Sequence, residues 1–186
     1  MRHLGLDLSL TSTGIAVYDA HAKQVLHHES VGESLKEDDP EGVKLARMIG
    51  ISKRICSVIT KWEPQTVTIE GPAYGVFHQK GGRLFQLGGL YFVVATQIRL
   101  CFSQMVALPV SAPTARKVVL GRGMPPQGVK GKEVKEWVEK TLWVNQGLST
   151  GQHDSNDALV VAIWRAIHEK DAPPEKVQPI QQSIWG

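Results

Sequence analysis

His3-Leu4-Gly5-Leu6-Asp7-Leu8-Ser9-Leu10-Thr11-Ser12-Thr13-Gly14-Ile15-Ala16-Val17 is the stretch that decides how this chain folds. Apolar residues lead into one carboxylate, a short Ser/Thr run with Gly14 follows, and a second apolar run returns. The pattern predicts a central strand carrying Asp7, a tight polar turn and a returning strand. A charge inside a buried strand is costly unless it is paired or coordinates a metal. A carboxylate that caps the following turn through backbone amides accounts for this stretch equally well, so the rest of the chain must decide.

Working outward, Asp19 to Lys23 has the length of a hairpin connection and Gln24 to Val31 reads as a third strand, completing an antiparallel meander. Gly32 to Gly42 is polar, acidic and contains Pro40, as expected of a surface loop. Leu45, Met48, Ile49, Ile55, Cys56, Ile59 and Trp62 then recur at helical spacing until Glu63-Pro64 stops the helix. Thr66 to Glu70 is a short β-branched strand, and a strand reached through a helix is expected to lie parallel to the first.

Gly71 to Gly82 is a glycine-rich connection holding Tyr74 and Phe77. A long helix is predicted from about Leu84 to Met105, apolar nearly all round, which implies either deep burial or a subunit interface. Gly88-Gly89 within it implies a closely packed neighbour. Val106 to Val110 reads as a strand that tolerates Pro109 near a sheet edge, and Pro113 opens a short helix. Lys132 to Trp143 and His153 to about Glu169 are the last two helices. The fold class is therefore α/β, a mixed five-stranded sheet of three antiparallel N-terminal strands plus two parallel strands, with helices on both faces. Residues 1–170 form one domain, and the Pro-rich tail 171–186 is expected to be poorly ordered.

With 186 residues the chain can bury a core without disulfides. No leader peptide and no apolar run long enough for a bilayer is evident, so a cytoplasmic protein without a membrane partner is expected. Cys56 and Cys101 are far apart in sequence and read as free buried thiols. A formal net charge of +3 says little about partners. Its distribution says more, because Arg116, Lys117, Arg122, Lys130, Lys132 and Lys135 crowd one segment. That segment is a candidate polyanion surface or a merely solvated basic face.

The carboxylates carry the chemistry. Asp7 sits mid-strand, Glu70 ends the parallel strand, and His153-Asp154-Ser155-Asn156-Asp157 opens the final helix. Asp154 and Asp157, three apart, share a helix face with Cβ atoms roughly 5–6 Å apart. If the first and fourth strands are neighbours, four carboxylates converge, and they repel unless a cation lies among them. Oxygen ligands without thiolates favour Mg²⁺ or Mn²⁺, and two such ions about 4 Å apart suit phosphodiester hydrolysis. An N-cap with a first-turn acid would equally place Asp154 and Asp157 at a helix start. His153 is a candidate metal neighbour or proton carrier only by position.

These residues together resemble the RuvC-like Holliday junction resolvases of the RNase H-like nuclease superfamily. The resemblance spans roughly residues 3–168. It rests on Leu4-Gly5-Leu6-Asp7 with Thr13-Gly14, on Val67-Thr68-Ile69-Glu70, on Arg116 to Gly123 with Lys132-Glu133-Val134, and on Asp154-Ser155-Asn156-Asp157-Ala158-Leu159. It implies a metal-dependent endonuclease, a hydrolase, in which Asp7, Glu70, Asp154 and Asp157 hold two Mg²⁺ ions, with Mn²⁺ as substitute. It implies a homodimer that nicks four-way DNA junctions in symmetric pairs, with other branched DNA as further substrates.

The Leu84–Met105 helix is then the candidate dimer seam, core burial being the alternative. Arg116 aligns with a basic residue near the scissile phosphate, and Lys132 or Lys130 aligns loosely with a second. Lys117, Arg122 and Lys135 join them as DNA-binding candidates. Tyr74 and Phe77 are placed to meet junction bases or to fold onto their own domain. Ser9 stands where Gly is frequent, and Met124 to Gly131 is longer than the pattern; the compact chain resembles phage-encoded members, which implies host cytoplasm. An RNase H-type hybrid nuclease and a catalytically silent junction binder remain alternatives. Asp7 with Thr11-Ser12-Thr13-Gly14 also resembles the first phosphate loop of actin-like kinases, but a second loop is missing, so no nucleotide cofactor is expected.

Overall fold

The computed structural model describes residues 1–32, 39–71 and 81–169. The predicted loop between the third strand and the first helix, the connection holding Tyr74 and Phe77, and the Pro-rich tail fall largely or wholly outside them. The elements are β1 (Arg2–Asp7), β2 (Thr13–Asp19), β3 (Gln24–Val31), α1 (Glu41–Trp62), β4 (Thr66–Gly71), α2 (Gly81–Cys101), β5 (Ala107–Ser111), α3 (Ala112–Leu120), α4 (Lys132–Gln146) and α5 (His153–Glu169). The sheet order is β3-β2-β1-β4-β5. β1, β2 and β3 run antiparallel in sequence, whereas β4 lies parallel to both β1 and β5. This is the mixed sheet read from the sequence, and Pro109 sits on the edge strand where its missing N–H is tolerated.

Strand alternation separates two cores. Leu4, Leu6, Ile15, Val17, Val67 and Ile69 point to one face, where Met48, Ile51, Ile55 and Ile59 of α1 and Leu90, Val94 and Ile98 of α2 cover them. Each such fully buried aliphatic side chain stabilises the fold by about 1.5–3 kcal/mol. The opposite face of β1 presents His3, Gly5 and Asp7, and it is covered by α5 with α3 and α4 packed behind. From Ser155 through Ile163 every residue of α5 is buried.

α5 lies this deep because the strands beneath it carry no side chains at two points. A Cβ on Gly5 would stand 2.0 Å from the Ala158 carbonyl oxygen, and one on Gly14 would stand 2.0 Å from that of Asp154. Both neighbours are backbone atoms, so the two glycines set the height of the helix above the sheet. The Thr150–Gln152 segment before α5 is tied to it by Asn156, whose Oδ1 accepts from the Thr150 N–H at 3.0 Å.

The helices depart from expectation in three places. Leu45 and Ile49, read as part of the buried stripe of α1, are 52% and 40% exposed, while Ile51, Ser52 and Val58 are buried instead. The inward stripe is rotated by part of a turn, following Met48, Ile51, Ile55 and Val58. α2 ends at Cys101 rather than Met105, the chain leaving through turns closed by Phe102 N–H on Ile98 O and Met105 N–H on Phe102 O. Cys56 is half-buried and Cys101 exposed; both are free, and the packing of α1 on α2 brings the two thiols together. Burial and the neighbouring Cys101 thiol push Cys56 up to about 11.

The glycine pair in α2 behaves half as expected. A Cβ on Gly89 would touch the Met48 side chain at 3.6 Å, but Gly88 has nothing within 4 Å. No helix among the described residues is long and apolar enough to cross a membrane.

Candidate active site

The parallel register aligns Leu6 with Ile69, so Asp7 and Glu70 follow as the next residues of adjacent strands. Val67 and Ile69 face the α1–α2 core, which turns Glu70 to the side occupied by Asp7 and α5. The site therefore forms at the carboxyl ends of β1 and β4, under the first turn of α5. Loops at the carboxyl ends of parallel strands are where open α/β sheets place their ligands.

Four carboxylates and two cations meet here. Arg116 of α3 donates from Nη2 to Asp157 Oδ1 at 2.8 Å, and both side chains are largely buried. α3 is held at this angle by Ser111, which caps its first turn by accepting from the Thr114 N–H, and by Pro113. Lys135 of α4 donates to Asp154 Oδ1. Asp154 Oδ2 accepts from Ser12 of the turn after β1 and, at 3.4 Å, from Ser30 of β3, while Ser12 and Ser30 lie 2.6 Å apart. Asp7 and Glu70 receive no hydrogen bond or ion pair from a described residue.

The titration behaviour follows from this pairing. Burial, then the nearby Glu70, Asp157 and Asp154 charges, push Asp7 well above the usual carboxylate range, against a smaller pull from Lys135. Burial and Asp157 raise Glu70 to about 7, Arg116 opposing. Burial also works against the charge on Asp154, but the bonds from Lys135 and Ser12 outweigh it and hold Asp154 below the carboxylate norm. Arg116 and Lys135 are both raised, because their carboxylate partners outweigh burial. Asp154 and Asp157 are thus each paired with a cation, while Asp7 and Glu70 are left to repel each other in a half-buried place.

All four predicted carboxylates belong to one electrostatic cluster, and Arg116 and Lys135 join it. As the side chains stand, no three His, Cys, Asp or Glu among the described residues converge closely enough to hold a metal ion. Lys117, Arg122, Lys130 and Lys132 are exposed on α3, the following loop and α4. Lys132 lies 3.9 Å from Glu136, and Lys135, rather than Lys132, is the lysine of α4 that pairs with a carboxylate of the cluster. His153 Nδ1 lies 3.3 Å from Glu139 of α4, outside the carboxylate cluster. Tyr74 and Phe77 lie outside the described residues.

Sequence reasoning missed Ser12 and Ser30 as partners of Asp154, and the packing role of Gly5 and Gly14. The glycines left a signal, since Gly5 shares strand parity with Asp7 and thus faces whatever Asp7 faces. The serines left none, because their meeting depends on β3 lying beside the β1–β2 turn.

No protein-family model and no curated protein sequence matches the chain. Solved structures do. The Thermus thermophilus RuvC structure superposes with a TM-score of 0.70 at 18% identity, over 92% of this chain and 96% of that one. T. thermophilus RuvC in complex with Holliday junction substrate gives 0.69 at 17% identity, over 92% and 97%. The yeast mitochondrial Holliday junction resolvase Ydc2 gives 0.52 at 13% identity, over 88% and 77%. The chain has the RNase H-like fold of RuvC.

Proposed function

We propose that this chain, folded as RuvC is, is a divalent-metal-dependent endodeoxyribonuclease that resolves four-way DNA junctions, and other branched DNA, by paired symmetric nicks. One observation carries the reading. Asp7 and Glu70 are half-buried, raised and unpaired among the described residues, beside Asp154 and Asp157, which each hold one cation.

The donor set fits Mg²⁺ or Mn²⁺. It is all carboxylate oxygen without thiolate, and the elevated Asp7 and Glu70 are groups whose ionisation a divalent cation would favour. Asp7, Glu70, Asp154 and Asp157 would hold two ions. When bound, such ions supply an activated water and positive charge for the leaving oxygen of a phosphodiester.

The chain's own residues do the rest. Arg116 and Lys135 present positive charge next to the carboxylates, where a scissile phosphate needs it, and a phosphate drawn to them loosens their hold on Asp157 and Asp154. Ser12 and Ser30 orient Asp154. Exposed Lys117, Arg122, Lys130 and Lys132 supply sequence-independent affinity for the backbone. Tyr74 and Phe77 follow Glu70 in the chain and are the candidates to wedge against junction bases.

Paired nicking calls for two sites related by a two-fold axis, hence a homodimer. α2 fits the seam, because Leu90, Val94 and Ile98 already fill the core while Phe92 and Leu100 remain 69% and 76% exposed.

The test is a panel of labelled four-way junction, duplex, flap and RNA–DNA hybrid, each with Mg²⁺, Mn²⁺ or Ca²⁺. Junction binding in every ion with paired nicks only in Mg²⁺ or Mn²⁺ is expected. Cleavage confined to the hybrid would replace the reading by an RNase H-type activity. Junction binding without nicks in any ion would make the chain a silent binder.

A further inference from the structure

The chain has two cysteines, and the fold brings these two together. Cys56 lies on α1, and Cys101 is the last residue of α2, the helix packed beside it. Their thiols are hydrogen-bonding neighbours, the first half-buried and the second exposed. Neither is among the buried residues of the α1–α2 core, and neither belongs to the carboxylate site across the sheet.

The two thiols are not equivalent. Solvent reaches Cys101, and the Gln97 amide one turn earlier donates from Nε2 to its Sγ at 3.1 Å. Burial and the Cys101 sulfur beside it push the Cys56 thiol up to about 11, so Cys56 keeps its proton. Cys101 is thus the sulfur that an oxidant in solution meets, and Cys56 is a second thiol held ready behind it.

The place also allows the bond to close. A disulfide is shorter than a thiol hydrogen bond, so one sulfur must approach the other. Cys101 ends α2, and the chain leaves there through the turns at Phe102 and Met105. The approach therefore adjusts a helix terminus, which gives more easily than a helix interior.

We propose that Cys56 and Cys101 are a dithiol site that hydrogen peroxide oxidises to a disulfide joining α1 to α2. The Cys101 sulfur, as thiolate, attacks one peroxide oxygen; an S–O bond forms, the O–O bond breaks, and the departing hydroxide takes up the proton that Cys101 lost. The Cys56 sulfur then attacks the sulfenic sulfur of Cys101. An S–S bond forms, the S–O bond breaks, and the hydroxyl leaves as water with the proton of Cys56. The thiol pair gives up two electrons, the peroxide becomes two waters, and a thiol reductant reverses the change. The site stands or fails independently of the nuclease reading, since its two sulfurs touch none of the carboxylates.

The experiment treats the full reduced chain with a small excess of hydrogen peroxide, blocks the remaining thiols with N-ethylmaleimide under denaturing conditions, and weighs the intact protein. The expected product is a single chain lighter by two hydrogens and free of maleimide, with Cys56 and Cys101 in one cross-linked peptide pair that dithiothreitol separates. Cys56→Ser should leave Cys101 as a sulfenic acid that dimedone captures, whereas Cys101→Ser should leave Cys56 unoxidised and open to maleimide. Wild-type protein that gains oxygen atoms without losing the two hydrogens, that cross-links only to a second chain, or that keeps both thiols would overturn the site. So would Cys101→Ser protein whose Cys56 oxidises as fast as Cys101 does in Cys56→Ser, because the order of the two sulfurs would then be lost.

Discussion

Replacing Gly14 by alanine puts one methyl group between β2 and the first turn of α5. The added carbon would lie 2.0 Å from the Asp154 carbonyl oxygen and 2.5 Å from its carbonyl carbon. Ordinary contact needs roughly 3.4 Å, so the turn must lift by about 1.4 Å, and no side-chain rotation relieves a clash with backbone. The carbonyl that moves belongs to Asp154, and Asp157 rides on the same turn. A displacement of about 1 Å in a catalytic group costs on the order of a hundredfold in rate. Overpacking of this kind costs ~1–3 kcal/mol, or roughly 3–10 °C in Tm for a chain of this size. Single-turnover nicking of a labelled junction reads the first effect and thermal unfolding the second. Junction affinity in Ca²⁺ should change far less, since the proposed phosphate contacts lie elsewhere. Gly42→Ala, at a glycine with nothing within 4 Å, is the control and should leave rate and Tm near wild type. A Gly14→Ala protein with wild-type rate and Tm would refute the idea that this glycine sets the position of the carboxylates.

Three further outcomes follow from the site. Glu70 holds its proton to about 7 in the folded chain against 4.5 ordinarily, so the folded state binds more protons between those values. Metal-free protein should therefore lose stability as pH rises from about 4.5 to 7, by up to on the order of 3 kcal/mol. Glu70→Gln should flatten that slope in chelator, and added Mg²⁺ should restore Tm at pH 8; a flat wild-type profile would contradict it. Asp7→Asn should abolish nicking while leaving junction affinity largely intact, because phosphate contacts supply most of the affinity; equal loss of both would make Asp7 structural. Lys132→Ala should lower affinity and the salt slope with little effect on the single-turnover rate, whereas Lys135→Ala should lower the rate itself; equivalent behaviour of the two would remove the distinction drawn from the Lys135–Asp154 pair.

Much of this architecture is legible in the sequence. β3 spans Gln24–Val31 and α5 begins at His153, as the apolar pattern and the D-x-x-D start indicated, because strand alternation and helix caps are local signals. The parallel placement of β4 followed from the intervening helix and delivered Glu70 beside Asp7. The exposed Leu45 and Ile49 were not legible, since both fit a helical stripe and only the packing of α1 against sheet and α2 chooses which stripe turns inward. The same holds for the cations. Lys132 and Lys135 sit one turn apart on α4, and the burial of Val138 and Leu142 decides which of them reaches the carboxylates. Ser12 and Ser30 meet through an 18-residue separation that no local pattern records.

The division of the sheet into two cores sets where this protein can change. Residues of the α1–α2 core, such as Ile55, Val94 and Ile98, lie across the sheet from Asp154 and Asp157 and have no part in placing them. Substitutions there should add to one another in stability without registering in catalysis, as expected of sites that share no partners. Beneath α5 the opposite holds, because Gly5, Gly14 and Ala158 set a spacing rather than fill a volume, and an added methyl is paid for in active-site geometry. A search for a hardier variant should spend its diversity on the first face and leave the second untouched.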